Sequence, residues 1–397
     1  MRFALLGDHP DGLDMARALV ESGRHELAVY SGSSLGTEYL ARWGLQPPCV
    51  GDMEEVLANS GVEAVIVAGG SAVRPAQLRR ALQSERHALC VHPADGTPDI
   101  AYEAAMIRAD TGGVLLPLMP GGLHPGVRRF AELARAAEQP RLIEFERWST
   151  EVLAGDDTDG RGLTLPDWDV LRSVGGEIAE VFALAGGEGA WLPGEPLIVA
   201  GRFVDGLIFQ AAYVPEQTDA RWRLVLAHRI GQTVLEFPDG WPGPSRLIYM
   251  DEGGGARSEE WPAVNPWLGV VEAFEQALAR PPAVAPLVWQ DELRALELDD
   301  AVRRSLERRR SSTLEYQEAT EEAGFKGTMT LVGCGLLWLS LVLLILSPWQ
   351  PKLLWGIAPV FGTFLLLQLF RWVIPARSTS SNGPRPDHPP TDGRSSS

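Results

Sequence analysis

The residues near the start of the chain are the first whose types and spacing match a known chemistry, the binding of phosphate. Gly7 and Gly12 stand five residues apart, directly after the short apolar run 3–6. The dinucleotide fingerprint G-x-G-x-x-G places three glycines in a turn between a strand and a helix. Gly7 and Gly12 hold the first and third of these places, so the turn is a candidate nucleotide-binding site.

The same turn departs from the fingerprint between its two glycines. His9 occupies the middle position, where a missing side chain lets the backbone approach a pyrophosphate. Pro10 removes one N–H that could cradle a phosphate, and Asp8 and Asp11 add charge of the wrong sign. The turn therefore predicts a nucleotide-binding architecture but leaves the binding of a dinucleotide open.

The elements that must position this turn are a strand, a helix and a second strand. Residues 3–6 form an apolar run typical of a buried strand, and residues 13–22 carry apolar side chains at helical spacing. Residues 26–31 predict the second strand, and residues 64–68 a third. The candidate cofactor-binding residues lie at these strand ends and in the turn: Gly7, His9, Gly12, Ser31, Gly69 and Gly70.

Length, charge and composition exclude several classes of protein. The chain has 397 residues, enough for two domains, and a formal net charge of -17, which argues against nucleic acid as a partner. The three cysteines (Cys49, Cys90 and Cys334) are scattered, and the histidines form no metal-ligand spacing, so neither a disulfide framework nor a metal site is predicted. Lys326 and Lys352 are the only lysines in the chain.

The pattern of strands and helices divides the first three quarters of the chain into two domains. Strands alternate with helices up to residue 140, which predicts a parallel sheet covered on both faces. We interpret residues 1–140 as an α/β, Rossmann-like domain of the nucleotide-binding kind. From residue 141 to residue 317, consecutive strands joined by short turns predict an α+β domain with an antiparallel sheet, one face of which is solvated.

Two apolar runs follow the second domain. Residues 328–346 contain no charge and are long enough to cross a bilayer, and residues 353–374 form a second, similar run. Trp349, Trp355 and Trp372 stand where interfacial aromatic residues collect. Two transmembrane helices in contact with the lipid bilayer are therefore predicted, with two buried helices of a soluble domain as the alternative.

The charges around these runs predict how the hairpin is oriented. The hairpin covers residues 326–375. Lys326 precedes its first apolar run, Arg371 lies at the end of its second and Arg377 beyond it, and Lys352 is alone in the turn between them. The excess of positive charge at both ends places them in the cytoplasm, so we expect an inner (cytoplasmic) membrane protein whose soluble domains face the cytoplasm. Residues 376–397 are rich in Ser, Pro, Gly and Asp and are expected to be a disordered tail.

Four stretches of residues 1–317 carry a likeness to a known family. Residues 62–68 look like that family's fourth strand, and residues 87–93 resemble the stretch that ends in Glu-Lys-Pro. Residues 169–176 look like the helix that opens the family's second domain, and residues 289–298 resemble its closing helix. In their order and spacing these stretches resemble the Gfo/Idh/MocA oxidoreductases, the family of glucose–fructose oxidoreductase and inositol dehydrogenase.

The resemblance implies that NAD or NADP binds to the first domain and that a hydride moves to or from a sugar or cyclitol carbon. Where the family has the lysine that holds the substrate hydroxyl, this chain has His92. The family's catalytic Asp and His fall near Gly162 and Pro166, neither of which can carry a proton. At the end of the second strand, where the family has an acidic residue that grips the ribose, residues 30–33 offer only hydroxyls.

Other side chains are candidates for the lost proton chemistry. A histidine has an unperturbed pKa of about 6.5, so His92 is the candidate general acid or base. His124, Asp167 and Asp169 are further candidates to reach the cleft. Each also has an ordinary interpretation, as a turn or loop histidine or as a carboxylate near a helix N-terminus.

Two functions remain open on the sequence alone. One is a membrane-anchored oxidoreductase that transfers a hydride between NAD(P) and a sugar or cyclitol derivative. The other is a family member that has lost catalysis and acts as a membrane-tethered scaffold or binds a small sugar-like ligand. The missing proton carriers favour loss of activity, since general acid–base help is worth about 10²–10⁴-fold in rate. The oligomeric state stays open, a homo-oligomer included.

Overall fold

The structure of the protein is a computed structural model. It describes residues 1–149, 164–186, 195–215, 220–229, 231–250, 254–279 and 286–314. The predicted hairpin over residues 326–375 and the predicted tail over residues 376–397 lie outside these described residues. Among the helices that the structure does describe, none combines the length and hydropathy that crossing a bilayer requires.

A five-stranded parallel sheet is built from the first part of the chain. In the order β2-β1-β3-β4-β5 its strands are β1 (Arg2–Leu6), β2 (Glu26–Ser31), β3 (Ala64–Val67), β4 (His87–Val91) and β5 (Leu115–Leu118). The helices between them are α1 (Pro10–Glu21), α2 (Ser34–Arg42), α3 (Met53–Ala58), α4 (Arg74–Gln83) and α5 (Pro98–Thr111). The predicted parallel, Rossmann-like sheet is confirmed.

The strand order creates a crevice at one edge of this sheet. The chain runs from β1 to β2 on one side and then returns to β3 on the other side of β1. In doubly wound sheets, ligands bind at the carboxyl ends of the strands where the order reverses in this way. The four residues of β3 are all fully buried, because helices cover both faces of the sheet and leave its strands no solvent face.

A nine-stranded sheet follows, in the order β13-β12-β11-β10-β6-β9-β8-β7-β14. Its strands are β6 (Leu142–Trp148), β7 (Ile178–Ala185), β8 (Leu197–Phe203), β9 (Ile208–Val214), β10 (Arg221–His228), β11 (Gly231–Phe237), β12 (Ser245–Met250), β13 (Ala256–Trp261) and β14 (Ser312–Thr313). Along β9, Phe209, Ala211 and Tyr213 are buried while Ile208 and Gln210 are exposed, so one face of the sheet is covered.

The prediction that this second sheet is antiparallel is wrong for one pair of strands. β6 and β9 pair in parallel, from Leu142 beside Ile208 to Trp148 beside Val214. Helix α7 (Trp168–Gly175) carries the chain from β6 to β7, and two reversals through β8 then bring β9 back beside β6 in the same direction. The sheet is therefore mixed.

Besides the one-turn 3-10 helix over Gly121–Leu123, three elements of the structure were not predicted from the sequence. Helix α2 contains Gly36, which lowers its helix propensity, and it buries only Gly36 and Leu40. Strand β13 is mostly exposed and polar, and β12 buries only Ser245 and Leu247. Backbone pairing to β11 and between β12 and β13, rather than a pattern of apolar residues, defines these two strands.

The last helices return to the first sheet and bring distant residues to it. A one-turn 3-10 helix (Gly121–Leu123) and α6 (Pro125–Ala136) connect the two sheets. Helix α8 (Trp267–Ala279) packs against α1, and α9 (Trp289–Arg308) contacts both α5 and β7. The Trp289 indole nitrogen donates a hydrogen bond of 2.9 Å to the Ala101 carbonyl of α5. Helix α9 thus lies where its acidic residues reach the ends of the first sheet's strands.

Candidate functional site

Two neighbouring cavities lie at the carboxyl ends of the parallel strands. The larger, which we call the cleft, has a volume of about 980 Å³. It is lined by residues of α1 and α7 and of the loops that connect the strands and helices of the two sheets. The smaller, which we call the loop cavity, has a volume of about 480 Å³ and is bounded by the ends of β1, β2 and β3. His9 and Pro10 line both of them.

Gly7 makes the turn after β1 in a conformation that only glycine adopts readily. Its φ is +104°, and a Cβ built on it would lie 2.3 Å from the Ala68 carbonyl oxygen. The Gly7 N–H donates a hydrogen bond of 2.7 Å to the Ser31 carbonyl at the end of β2. Gly7 therefore holds the ends of three adjacent strands together and leaves the space above them open.

Gly12 serves the packing of α1 and does not line either cavity. A Cβ on Gly12 would lie 2.2 Å from the Ala68 Cβ, so α1 approaches the end of β3 more closely than any side chain allows. This close helix–strand contact is what the third glycine of the fingerprint provides.

His9 fills the place of the missing middle glycine and caps α1. Its Nδ1 accepts the Asp11 N–H at 3.3 Å, and its carbonyl accepts the N–H groups of Gly12 and Leu13 at 2.9 and 3.1 Å. Pro10 has no N–H to offer. The N–H groups of the first turn of α1 are therefore directed to His9, where the fingerprint would direct them to a phosphate.

The remaining predicted cofactor residues come together around the loop cavity. Ser31, Gly69 and Gly70 line it with Gly7 and His9. The Gly69 N–H donates to the Gln77 side-chain oxygen at 3.1 Å, and the α-carbon of Gly70 faces open space. Of the predicted cofactor residues, all but Gly12 therefore meet at one cavity.

Asp8 is a residue of this cavity whose position the sequence did not reveal. Its side chain extends from the glycine turn to the end of β2. There its two carboxylate oxygens accept the Ser33 N–H, at 3.1 and 3.0 Å. The Tyr30 hydroxyl also donates to this carboxylate. The end of β2, which by sequence offers only hydroxyls, thus receives a carboxylate from the neighbouring loop.

His92 lies on the wall of the cleft, directly after β4, and forms an ion pair with α9. Its Nδ1 is 2.7 Å from Oε2 of Glu292, whose side chain is 0% exposed and whose Oε1 accepts the Ala94 N–H at 2.7 Å. Burial lowers the pKa of His92, but the charge and hydrogen bond of Glu292 outweigh it and raise this pKa above its ordinary value. The His92 Nε2 has no hydrogen-bond partner among the described residues.

Asp167 and Asp169 also line the cleft, at the start of α7. Oδ2 of Asp169 accepts the Gly122 N–H at 2.8 Å, and burial raises the pKa of this carboxyl to about 6. Asp167 accepts hydrogen bonds from Arg147 at 2.7 Å and from the Trp222 indole at 3.2 Å. Both predicted carboxylates therefore reach the cleft, Asp167 within an ion pair.

Glu292 and Asp299 are buried acidic residues of α9 that sequence reasoning missed. Oδ1 of Asp299 accepts the Trp168 indole N–H at 2.7 Å and the Leu165 N–H at 3.1 Å. Burial raises the pKa of Asp299 to about 7. The two acids stand seven residues apart on α9, which places them on one face of the helix, and that spacing was the only signal in the sequence.

His124 does not line the cleft. It is buried, its Nδ1 accepts the Gly126 N–H at 3.1 Å as a cap of α6, and its ring packs against Phe237 and Trp241. Burial lowers the pKa of His124 to about 4, so the ring is neutral at ordinary pH. Its ordinary interpretation, a loop histidine with a structural role, describes these contacts.

Comparison of the structure with solved proteins finds oxidoreductases, whereas no family model and no curated protein matches the sequence. An aldose–aldose oxidoreductase from Caulobacter crescentus, complexed with glycerol, superposes with a TM-score of 0.65 at 16% identity, over 79% of this chain and 99% of its own. A levoglucosan dehydrogenase, complexed with NADH and levoglucosan, gives 0.63 at 13% identity, over 80% of this chain and 100% of its own.

A third solved protein, an enzyme of gentamicin A biosynthesis in complex with NAD, gives a TM-score of 0.63 at 20% identity, over 80% of this chain and 97% of its own. These three and an inositol dehydrogenase-like protein are Gfo/Idh/MocA-type NAD-binding oxidoreductases. At such low identity the likeness establishes the fold. The resemblance seen in the sequence is confirmed at that level: the chain has the fold of the Gfo/Idh/MocA-type oxidoreductases.

Proposed function

We propose that this protein is an NAD(P)-dependent oxidoreductase that acts on a secondary alcohol of a sugar or cyclitol derivative, with His92 as its proton carrier. The observation that carries the proposal is the His92–Glu292 ion pair on the wall of the cleft. A histidine held by a buried carboxylate can take up and release a proton near neutral pH, whereas Gly162 and Pro166, near the positions of the family's Asp and His, cannot.

The loop cavity fits the adenosine half of a nicotinamide dinucleotide. It lies at the carboxyl ends of β1, β2 and β3, where Gly70 faces open space and the side chains of Val73 and Gln77 line the wall beside Gly69. Solved neighbours with this fold carry NAD or NADH. His9, which lines both cavities, stands where the pyrophosphate would cross from one to the other. A bound dinucleotide would supply the group that accepts or donates the hydride.

The chemistry of the protein's own residues is proton transfer. Glu292 binds Nδ1 of His92 and so fixes the orientation of the ring and stabilises its charged form. The Nε2 atom is buried and has no partner among the described residues. In the proposed reaction a substrate hydroxyl reaches this atom from the cleft and gives it its proton as the alcohol is oxidised. In the reverse direction the imidazolium returns this proton to the carbonyl oxygen.

The remaining polar groups of the cleft suit a substrate rich in hydroxyls. Arg147 and Asp167 form an ion pair at 2.7 Å, and Asp169 stands beside them at the start of α7. Trp241 and Trp267 add aromatic surface to the same cleft. Paired donors and acceptors next to aromatic rings are what a polyol, which has an apolar face and a polar rim, requires.

Titration of the purified full-length protein with NADH and NADPH tests the proposal. We expect saturable binding of at least one nucleotide at micromolar concentration, followed by turnover on a member of a panel of sugars, cyclitols and their derivatives. Absence of binding by both nucleotides would contradict the proposal. Binding without turnover on any polyol would support instead the second candidate, a protein that keeps the fold as a ligand-binding scaffold.

We further propose that residues 328–346 and 353–374 anchor the protein in the cytoplasmic membrane, with the soluble domains facing the cytoplasm. The absence of charge over residues 328–346 supports this anchor. Truncation after Tyr316 should move the protein from the membrane fraction to the soluble fraction, with the full-length chain as the control. Continued sedimentation of the truncated chain with membranes would refute the anchor.

A further inference from the structure

We propose that Asp8 selects NAD(H) over NADP(H) by binding a hydroxyl of the adenosine ribose. This inference rests on the proposed function, because it concerns the nucleotide of the same site. It assigns the choice between NAD(H) and NADP(H) to a residue of the glycine turn. In the resembled family the acidic residue that binds the ribose is expected at the end of β2, where this chain has no acid.

The Asp8 carboxylate is fixed at the end of β2 by two hydrogen-bond donors. The Ser33 N–H spans both oxygens, at 3.1 and 3.0 Å, and the Tyr30 hydroxyl donates to Oδ1. Burial, together with the hydrogen bond to Asp8, raises the pKa of Tyr30, so its hydroxyl keeps the proton that it donates. Asp8 is thus held in one place before any ligand arrives.

Two glycines, Gly32 and Gly36, provide the space in which the Asp8 carboxylate contacts the Tyr30 hydroxyl. A Cβ on Gly32 would lie 2.4 Å from the Tyr30 hydroxyl and 2.5 Å from Oδ1 of Asp8. A Cβ on Gly36 would lie 1.9 Å and 2.2 Å from the same two atoms. Side chains at either position would displace the carboxylate, so the local sequence is matched to this arrangement.

The charge of the loop cavity favours a ribose hydroxyl and disfavours a phosphate. Among the described residues that line it, Asp8 is the only one with a formal charge at pH 7 when His9 is neutral, and none is arginine or lysine. A carboxylate has about four acceptor sites, of which Ser33 and Tyr30 use three. A hydroxyl can donate to the remaining site, whereas a 2′-phosphate would bring like charge to Asp8.

Direct binding measurements on the full-length protein test this assignment. Dissociation constants for NADH and NADPH are measured by nucleotide fluorescence and by calorimetry for the wild type, Asp8→Asn, Tyr30→Phe and Glu55→Gln. Glu55 is exposed on α3 and does not line the loop cavity, so Glu55→Gln makes the same change of charge outside the site. Thermal unfolding of each variant reports whether it is folded.

We expect the wild type to bind NADH about tenfold or more tightly than NADPH, as one like charge near a phosphate predicts. Asp8→Asn should bring the two dissociation constants within about threefold of each other, mainly by tightening NADPH. Tyr30→Phe, which frees the carboxylate to move, should reduce the preference by a smaller factor, and Glu55→Gln should leave it unchanged.

Equal affinity of the wild type for both nucleotides would overturn the inference while leaving the proposed function intact. So would an unchanged preference in a folded Asp8→Asn variant. Absence of binding by either nucleotide would instead overturn the proposed function, and the assignment of Asp8 with it. The two failures are therefore distinguishable in one set of titrations.

Discussion

The loop cavity and the cleft are built in different ways, although His9 and Pro10 line both. The loop cavity is made largely by backbone and glycines from the first β-α-β unit and the end of β3. The cleft depends on charged side chains that are far apart in sequence, such as His92 and Glu292, 200 residues apart. The loop cavity therefore provides space next to the backbone, whereas the cleft provides ionisable side chains, whose burial costs free energy.

This difference predicts which property a substitution in each cavity should change. A change in the loop cavity should alter packing and nucleotide affinity and leave proton transfer alone. A change at the His92–Glu292 pair of the cleft should alter proton transfer and leave the binding of the adenosine half of the nucleotide alone. The substitutions below test this separation, in order of decreasing expected effect.

Replacing His92 by alanine should have the largest effect. His92→Ala removes the proposed proton carrier, so kcat/KM should fall by about 10²–10⁴-fold. The dissociation constant for the nucleotide should stay within about twofold, because His92 does not line the loop cavity. His228→Ala is the matched control, since His228 ends β10 and lines neither cavity. Equal rates for wild type and His92→Ala would dismiss the assignment.

The close contact of α1 with the end of β3 gives the next effect, on stability. Gly12→Ala places a Cβ where 2.2 Å separate it from the Ala68 Cβ, so the free energy of unfolding should fall by about 1–3 kcal/mol. Ala68→Gly removes the opposing atom. In denaturant unfolding, the double variant should be more stable than the sum of the two single changes predicts. Strict additivity would show that the two positions do not touch.

The smallest effect should come from restoring the glycine that the fingerprint lacks. His9→Gly removes the ring that accepts the Asp11 N–H at 3.3 Å and opens the turn to a pyrophosphate. Nucleotide affinity should therefore rise by up to about tenfold, at a cost of a few tenths of a kcal/mol for the exchanged helix cap. His9→Ala should give an intermediate affinity. Weaker binding by His9→Gly would show that the histidine itself binds the phosphates.

The parts of the fold that the sequence predicted are those determined by neighbouring residues. The apolar runs at β1 and β3 are buried on both faces, and such runs alternating with helices are sufficient to predict a parallel sheet. The parallel pairing of β6 and β9 was missed, because it depends on which strands meet after α7, and alternation along one strand carries no such information.

The same limit applies to the candidate site. Gly7, Gly69 and Gly70 were predicted because glycines after buried strands have a local meaning. Glu292 was not predicted, because its partner His92 follows β4, 200 residues away in the sequence. Asp8 was noted only as charge of the wrong sign, since its contact with Tyr30 and Ser33 depends on the packing of β1 beside β2.

The pH dependence of kcat/KM in the wild type and in Glu292→Gln tests the central claim most directly. Glu292 raises the pKa of His92, so the rise in alcohol oxidation that follows loss of the His92 proton should occur above pH 6.5 in the wild type. Glu292→Gln removes this charge and should move the rise to lower pH, with a lower maximum rate. Identical pH profiles for the two proteins would contradict the claim that His92, held by Glu292, carries the proton.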